Sequence, residues 1–225
     1  MIEYESKRIA FKWLQKQSLN DIQNKLIRWG KDNYATFPWR TTNNHFHALI
    51  AELMLQRTRA EQVVPIYNKF TNIVPTFSTR FEHKIMRDLL LPLGLTRRIE
   101  YIILLIDKIA CKKSVPDGYD KLVSLPGIGD YTASAFLSFH LDQRFPIIDS
   151  NAVRLWCRLS GVSYTGNTRR IKWFKELVND ITPYKNVKEF NYAVIDLSRL
   201  ICQRKPICHP CPLKKYCTFS KIQKE

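Results

Sequence analysis

Apolar residues in this chain recur at helical spacing almost throughout, whereas the apolar–polar alternation of a β-strand is nearly absent. Residues 47–58 and 98–111 are densely apolar over lengths typical of helices, and residues 33–44, which contain Pro38 and several small polar residues, are typical of a loop. The pattern predicts an all-α protein with roughly ten helices. The other predicted helices cover residues 20–30, 63–74, 81–91, 119–124, 130–140, 151–160, 170–179 and 188–202.

The charge of the chain narrows the choice of partner. Lys and Arg number 36 and Asp and Glu 20, so the formal net charge is +16. In a folded protein this charge favours a polyanionic partner such as nucleic acid. The alternative is a basic protein that has no such partner. No apolar stretch is long enough to cross a bilayer, and residues 1–5 lack the order of a signal peptide. We therefore expect a soluble, intracellular protein of the cytoplasm or nucleoid, with no membrane partner.

Four of the six cysteines lie within the last 24 residues. Without a secretion signal, such a cluster favours a metal site over a disulfide framework. The spacing Cys-x5-Cys-x2-Cys-x5-Cys suits zinc and an iron–sulfur cluster alike. The two remaining cysteines, Cys111 and Cys157, are predicted to be core residues. The candidate ligands are Cys202, Cys208, Cys211 and Cys217.

Segment 125–130, of sequence LPGIGD, joins two predicted helices. Its two glycines allow a tight turn and a close approach to a ligand, and the helix that follows begins with free N–H groups that suit a phosphate. Many helix–helix turns contain glycine, but the longer string LPGIGDYTA (125–133) resembles the helix–hairpin–helix motif of DNA repair glycosylases. Such a hairpin holds the sugar–phosphate backbone without reading sequence. The resemblance implies DNA contacts by Pro126, Gly127, Ile128 and Gly129.

Asp149 follows the apolar segment 145–148 and, on local sequence alone, suits the N-cap of the helix predicted over 151–160. The order of hairpin, apolar segment, aspartate and terminal cysteines spans most of the chain and resembles the endonuclease III-like superfamily of DNA glycosylases. By this resemblance Asp149 faces the deoxyribose of a flipped nucleotide. A carboxylate there could stabilise the positive charge that develops on the sugar, activate water or attack the sugar, and the sequence leaves these three roles open.

The same resemblance implies an architecture of two helical lobes with a DNA cleft between them, in a monomer. A six-helix barrel domain that contains the hairpin is expected over residues 33–144. A second, cluster-binding domain is expected from both termini, residues 1–32 and 145–225.

Glu52 lies in an apolar helical segment, where a carboxylate is costly unless it is paired, functional or on the one wet face of the helix. The segment resembles the first motif of the glycosylases for mispaired adenine or thymine, in which a glutamate meets the flipped base. Tyr131 occupies the position of the lysine that forms a Schiff base in the strand-cleaving branch. Tyrosine cannot form an imine, so this departure implies a pocket role for Tyr131 and an enzyme without β-lyase activity.

Further resemblances imply DNA contacts outside the hairpin. Gln56, Arg57 and Leu95 resemble residues that fill the gap left in the duplex or contact the widowed base, and Arg97 follows Leu95 in a basic loop. In this superfamily the C-terminal cysteines often hold a [4Fe–4S] cluster. Here the first gap is one residue shorter than the usual spacing, and zinc is the alternative metal.

Two base specificities compete. The strings QRT (56–58), GLT (94–96) and DSN (149–151), together with the end of the chain eight residues after Cys217, resemble the thymine mismatch glycosylases better than the adenine glycosylases. The sequence therefore predicts removal of thymine or uracil mispaired with guanine in double-stranded DNA. The alternatives are an adenine glycosylase acting opposite guanine or 8-oxoguanine and, from another class, a DNA-binding module without catalysis.

Overall fold

The computed structural model describes residues 2–77, 80–94 and 96–222, and within these ranges it contains thirteen α-helices, three short 3-10 helices and no strand. The all-α prediction is thus confirmed. No helix in these ranges is long and apolar enough to span a bilayer. The α-helices are α1 Ile2–Gln15, α2 Leu19–Asn33, α3 Pro38–Thr41, α4 His45–Met54, α5 Ala60–Ile73, α6 His83–Leu90, α7 Thr96–Lys112, α8 Tyr119–Val123, α9 Asp130–His140, α10 Ser150–Ser160, α11 Lys172–Ile181, α12 Val187–Leu200 and α13 Thr218–Ile222.

The chain divides into two compact units. The terminal unit combines Met1–Ala35 with Asp142–Glu225 and therefore contains α1, α2 and α10–α13. The central unit, Thr36–Leu141, is a continuous stretch that contains α3–α9.

In the terminal unit, α2 and α10 pack against α12, and α1 packs against α10 and α11. Trp156, Phe174 and Phe190 are fully buried in this core. The sequence predicts no helix over α1, yet α1 buries Trp13, whose indole Nε1 donates a hydrogen bond to the Tyr216 carbonyl at 2.9 Å. The first helix is thus joined to the far end of the chain, a contact that local spacing does not reveal.

In the central unit, α4 packs against α5, α7 and α9, and every residue from Phe46 to Met54 is buried. The side chain of Asn44 caps the first turn by accepting hydrogen bonds from the amides of Phe46 and His47. The prediction of a helix as far as Thr58 is wrong, because α4 ends at Met54 and Arg57 has a left-handed backbone with a φ of 58°. The predicted loop over 33–44 contains the short helix α3.

Candidate active site and nucleic-acid interface

The hairpin between α8 and α9 presents backbone rather than side chains. Leu125 and Ile128 are 4% and 5% exposed, so any DNA contact by Ile128 must use its main chain. Gly127 has a φ of +74°, and a Cβ there would lie 2.9 Å from Cβ of Tyr101, so both conformation and space require glycine. Gly129 caps α9 without a side-chain hydrogen bond. Glycine provides no capping side chain at the start of this helix, and a helix N-terminus is suited to phosphate.

Glu52 and His140 form a buried acid–base pair in the central unit. Nε2 of His140, at the end of α9, lies 3.8 Å from Oε1 of Glu52, and the two side chains are 2% and 6% exposed. Nε2 of His140 has no hydrogen-bond partner among the described residues. A buried polar atom without a partner is rare and often marks a functional site. The sequence pattern predicts a role for Glu52 but not for His140. The only indication of His140 in the sequence is that it is a polar residue at the end of an apolar helix.

The residues after α4 approach the hairpin. Nε2 of Gln56 donates hydrogen bonds to the Gly127 carbonyl at 3.0 Å and to Oγ1 of Thr132 at 3.1 Å. The Gln56 amide nitrogen thus braces the hairpin. Arg57 is exposed, and its left-handed backbone stores roughly 1–3 kcal/mol of strain, a cost found preferentially at functional positions.

The other predicted site residues that the structure describes in the central unit are the DNA contact Arg97, on α7, and the pocket residue Tyr131, on α9. Arg97 is exposed, and its Nε donates to Oη of Tyr101 at 2.9 Å. Tyr131, in the first turn of α9, is 39% exposed. Leu95 lies outside the described residues. The next residue, Arg98, is by contrast buried, with only 4% of it exposed. The basic character of this segment does not predict that burial.

Asp149 belongs to the terminal unit, where it caps α10. Its Oδ1 accepts hydrogen bonds from the amides of Asn151 and Ala152 at 3.0 and 2.6 Å, and its Oδ2 accepts from Nδ2 of Asn151 at 2.9 Å. The residue is partly exposed. These three donors fix the direction of the carboxylate, so capping and a chemical role are compatible.

All four clustered cysteines line one cavity of the terminal unit. Burial, with a smaller contribution from the neighbouring thiols, raises the pKa of Cys211 to about 11, and burial also raises the pKa of Cys217. Across the described ranges, no three Cys, His, Asp or Glu side chains are grouped to hold a single metal ion. Four thiols around one cavity fit a larger group, and a cation within it would stabilise their thiolates.

The remaining two cysteines differ from each other. Cys157 is buried, and burial raises its pKa to about 12, as expected of an inert core thiol. The prediction that Cys111 is a core residue is wrong, because Cys111 is exposed. The apolar face of α7 is formed by other residues of that helix, including Ile102, Ile106 and Ile109.

Known proteins resemble the chain over most of its length, although no family model matches it. It is 33% identical over 224 residues to a thymine-DNA glycosylase of Aeropyrum pernix, covering 92% of this chain and 97% of that protein. It is 34% identical over 192 residues to an adenine DNA glycosylase of Buchnera aphidicola, covering 82% of this chain but only 55% of that protein. A solved thermostable thymine-DNA glycosylase superposes with a TM-score of 0.83 at 27% identity, covering 91% of this chain and 97% of the other. A solved endonuclease III shares the fold, with a TM-score of 0.77 at 19% identity. The chain therefore belongs to the DNA glycosylases, enzymes that act on DNA and hydrolyse the N-glycosyl bond between a base and its deoxyribose.

Proposed function

We propose that this glycosylase removes thymine, and also uracil, from mispairs with guanine in double-stranded DNA, and that it leaves the strand intact. The observation that carries the proposal is the similarity to thymine-DNA glycosylases, one of them 33% identical over 92% of this chain and another, a solved structure, superposing with a TM-score of 0.83. Tyr131 supports the second part of the proposal, since the phenol cannot form an imine with the sugar. We expect the enzyme to act as a monomer on DNA in the cytoplasm or nucleoid.

The proposed chemistry divides between a base-facing and a sugar-facing carboxyl group. Glu52, with His140 beside it, hydrogen-bonds the flipped base. The bond from C1′ to the base nitrogen breaks, and its electron pair leaves with the base. The carboxylate of Asp149 stabilises the resulting positive charge on the sugar. Water then adds to C1′, and the base takes up a proton, so that the products are the free base and an abasic site.

Substrate binding is proposed to precede this chemistry in two steps. The backbone amides of the hairpin and the first turn of α9 bind phosphates of the damaged strand. Extrusion of the base leaves a gap that Arg57 and Leu95 fill, and unstacking costs least at a mispair. The DNA cleft between two lobes stays a prediction.

We further propose that the terminal unit binds a [4Fe–4S] cluster through Cys202, Cys208, Cys211 and Cys217. The shared cavity supports this, as does Nη1 of Arg158, which lies 3.5 Å from Sγ of Cys202. When bound, the cluster would cross-link the loop after α12 through these four thiolates. Protein purified anaerobically should be brown, with about four iron and four sulfide per chain. Cys217→Ser should lose this colour, and a colourless protein with stoichiometric zinc would contradict the assignment.

The test of base specificity is a panel of duplexes that differ in a single pair. G·T, G·U, A·G, A·8-oxoguanine and matched G·C duplexes are incubated with excess enzyme, and each product is divided in two. Alkali reveals abasic sites in one half, and the untreated half reports strand cleavage by the protein. We expect cleavage of G·T and G·U after alkali only.

The control for this panel is a mock purification from host cells that lack the gene, which exposes any contaminating glycosylase. Activity confined to the adenine mispairs would replace the proposed substrate with adenine. Binding without cleavage of any duplex would indicate a non-catalytic DNA-binding module.

A further inference from the structure

Arg98 is a buried cation that the chemistry proposed above does not use. Its side chain lies at the start of α7 and is 4% exposed. Burial lowers its pKa from the ordinary arginine value, and Arg98 forms no salt bridge with any described carboxylate. It also lies in the first turn of a helix that has no acidic residue there, where a cation opposes the helix dipole. Helix stability therefore does not explain this arginine.

The guanidinium hydrogen-bonds backbone carbonyls of two separate segments. Nη1 donates to the carbonyls of Met54, at 3.3 Å, and Gln56. Nη2 donates to the carbonyls of Leu93 and Gly94, the latter at 3.1 Å. A planar fork can reach both segments at once, which a single ammonium group cannot do in the same geometry.

These segments carry the predicted gap-filling residues. The first continues directly into Arg57, and the second ends immediately before position 95. Thr58 joins the same segments through a hydrogen bond from its Oγ1 to the Leu93 carbonyl at 3.2 Å. Gln56, whose carbonyl accepts from Arg98, donates through its side chain to the Gly127 carbonyl in the hairpin. Arg98 thus lies at the centre of a network that links three candidate DNA-contacting segments.

We propose that Arg98 is the positioning residue of the DNA interface of the central unit: its guanidinium fixes the segment after α4 to the segment before α7 and so holds Arg57 where it can enter the opened duplex. Arg98 need not touch DNA itself. The inference rests on the proposed function, because the gap-filling role of Arg57 belongs to it.

Arg98→Met tests this role by keeping an unbranched apolar stem while removing the fork. We expect a fall of roughly ten- to hundredfold in single-turnover cleavage, since a misplacement of about 1 Å has effects of this size. 2-Aminopurine next to the mispair should fluoresce less on binding of the variant, because duplex opening is impaired. Arg87→Met is the matched control, since it removes another arginine of the central unit, one that is exposed and paired with Glu100. It should cleave like the parent.

Coupling to Arg57 separates positioning from general damage. Arg98→Met should reduce the rate by a smaller factor in an Arg57→Ala background than in the parent, because its effect passes through Arg57. Equal factors in both backgrounds, or parental cleavage and fluorescence in Arg98→Met, would overturn the proposal. Should Arg98→Met not fold, Arg98→Lys decides by the same criteria, since it retains the charge but not the fork. Both rates are measured on whichever mispair the parent cleaves. A wrong assignment of base specificity would therefore show in the parent alone and would not affect the test of Arg98.

Discussion

Replacing Asp149 by asparagine should abolish most cleavage while leaving the fold intact. Oδ1 of Asp149 accepts the two capping hydrogen bonds of α10, and an asparagine carbonyl can accept both. Oδ2 accepts from Nδ2 of Asn151, and rotation of that amide would let it accept from the new side chain instead. The remaining loss is one negative charge at a helix N-terminus, worth about 0.3–1 kcal/mol.

The rate of cleavage should fall by far more than this loss of stability would produce. Loss of one strong electrostatic contact to a transition state costs roughly a hundredfold or more in rate, or about 2.7 kcal/mol. If a domain of about 5 kcal/mol lost 1 kcal/mol, its unfolded fraction would still be only about 0.1%. A hundredfold fall therefore cannot come from unfolding. DNA affinity should stay the same or rise slightly, because an anion near phosphates has been removed.

The assay compares single-turnover cleavage of a G·T duplex with urea unfolding for the parent and for Asp149→Asn. Ser18→Ala is the matched control, since Ser18 caps α2 in the same unit. It should lose about 0.5–1 kcal/mol of stability and no cleavage. Parental cleavage by Asp149→Asn would show that Asp149 is only a helix cap.

Three further perturbations address other parts of the molecule. Glu52→Gln should change the relative rates on G·T, G·U and adenine mispairs as well as lowering them, because Glu52 is proposed to touch the base; a uniform fall across the duplex panel would speak against this. Tyr131→Lys supplies an imine-forming amine, so borohydride should trap a covalent adduct with DNA in this variant, and trapping with the parent would contradict a monofunctional enzyme. Burial lowers the pKa of His47 in the folded state, so the unfolded state binds more protons as the pH falls below about 6.5, and stability should fall there. Urea unfolding at pH 7.5 and 5.5 should show this fall in the parent and a smaller one in His47→Gln.

The sequence predicts helices well where local signals and the packed structure agree. Helix α9 matches the predicted range 130–140 at both ends, because Gly129 provides a clear start. Helix α4 ends four residues earlier than predicted, since the left-handed backbone of Arg57 has no signal in residue type. Helix α1 is absent from the prediction because the burial of Trp13 depends on α10, α11 and the segment around Tyr216, which are distant in sequence.

In the candidate site, too, some features follow from local sequence and others depend on how distant segments pack. Burial of Glu52 follows from its apolar neighbours along one helix. Its pairing with His140 depends on how α4 packs against α9, and the role of Arg98 depends on two loops that meet in space. From composition, Arg98 is one more basic residue of a DNA-binding protein. Its burial indicates instead that it cross-links segments inside the protein.

The division of the terminal unit between the two ends of the chain has a consequence for biosynthesis. Residues 36–141 leave the ribosome as one uninterrupted stretch, so the central unit can fold while synthesis continues. Helices α1 and α2 emerge first, yet Trp13, Ile22 and Leu26 are buried in a core that also needs α10–α12. Until those helices are made, their apolar side chains stay exposed, and a chain that stalls before α12 presents them to chaperones and proteases. The four clustered cysteines follow α12 in the chain. Their cavity can therefore take up a metal only after α1–α12 have been synthesised.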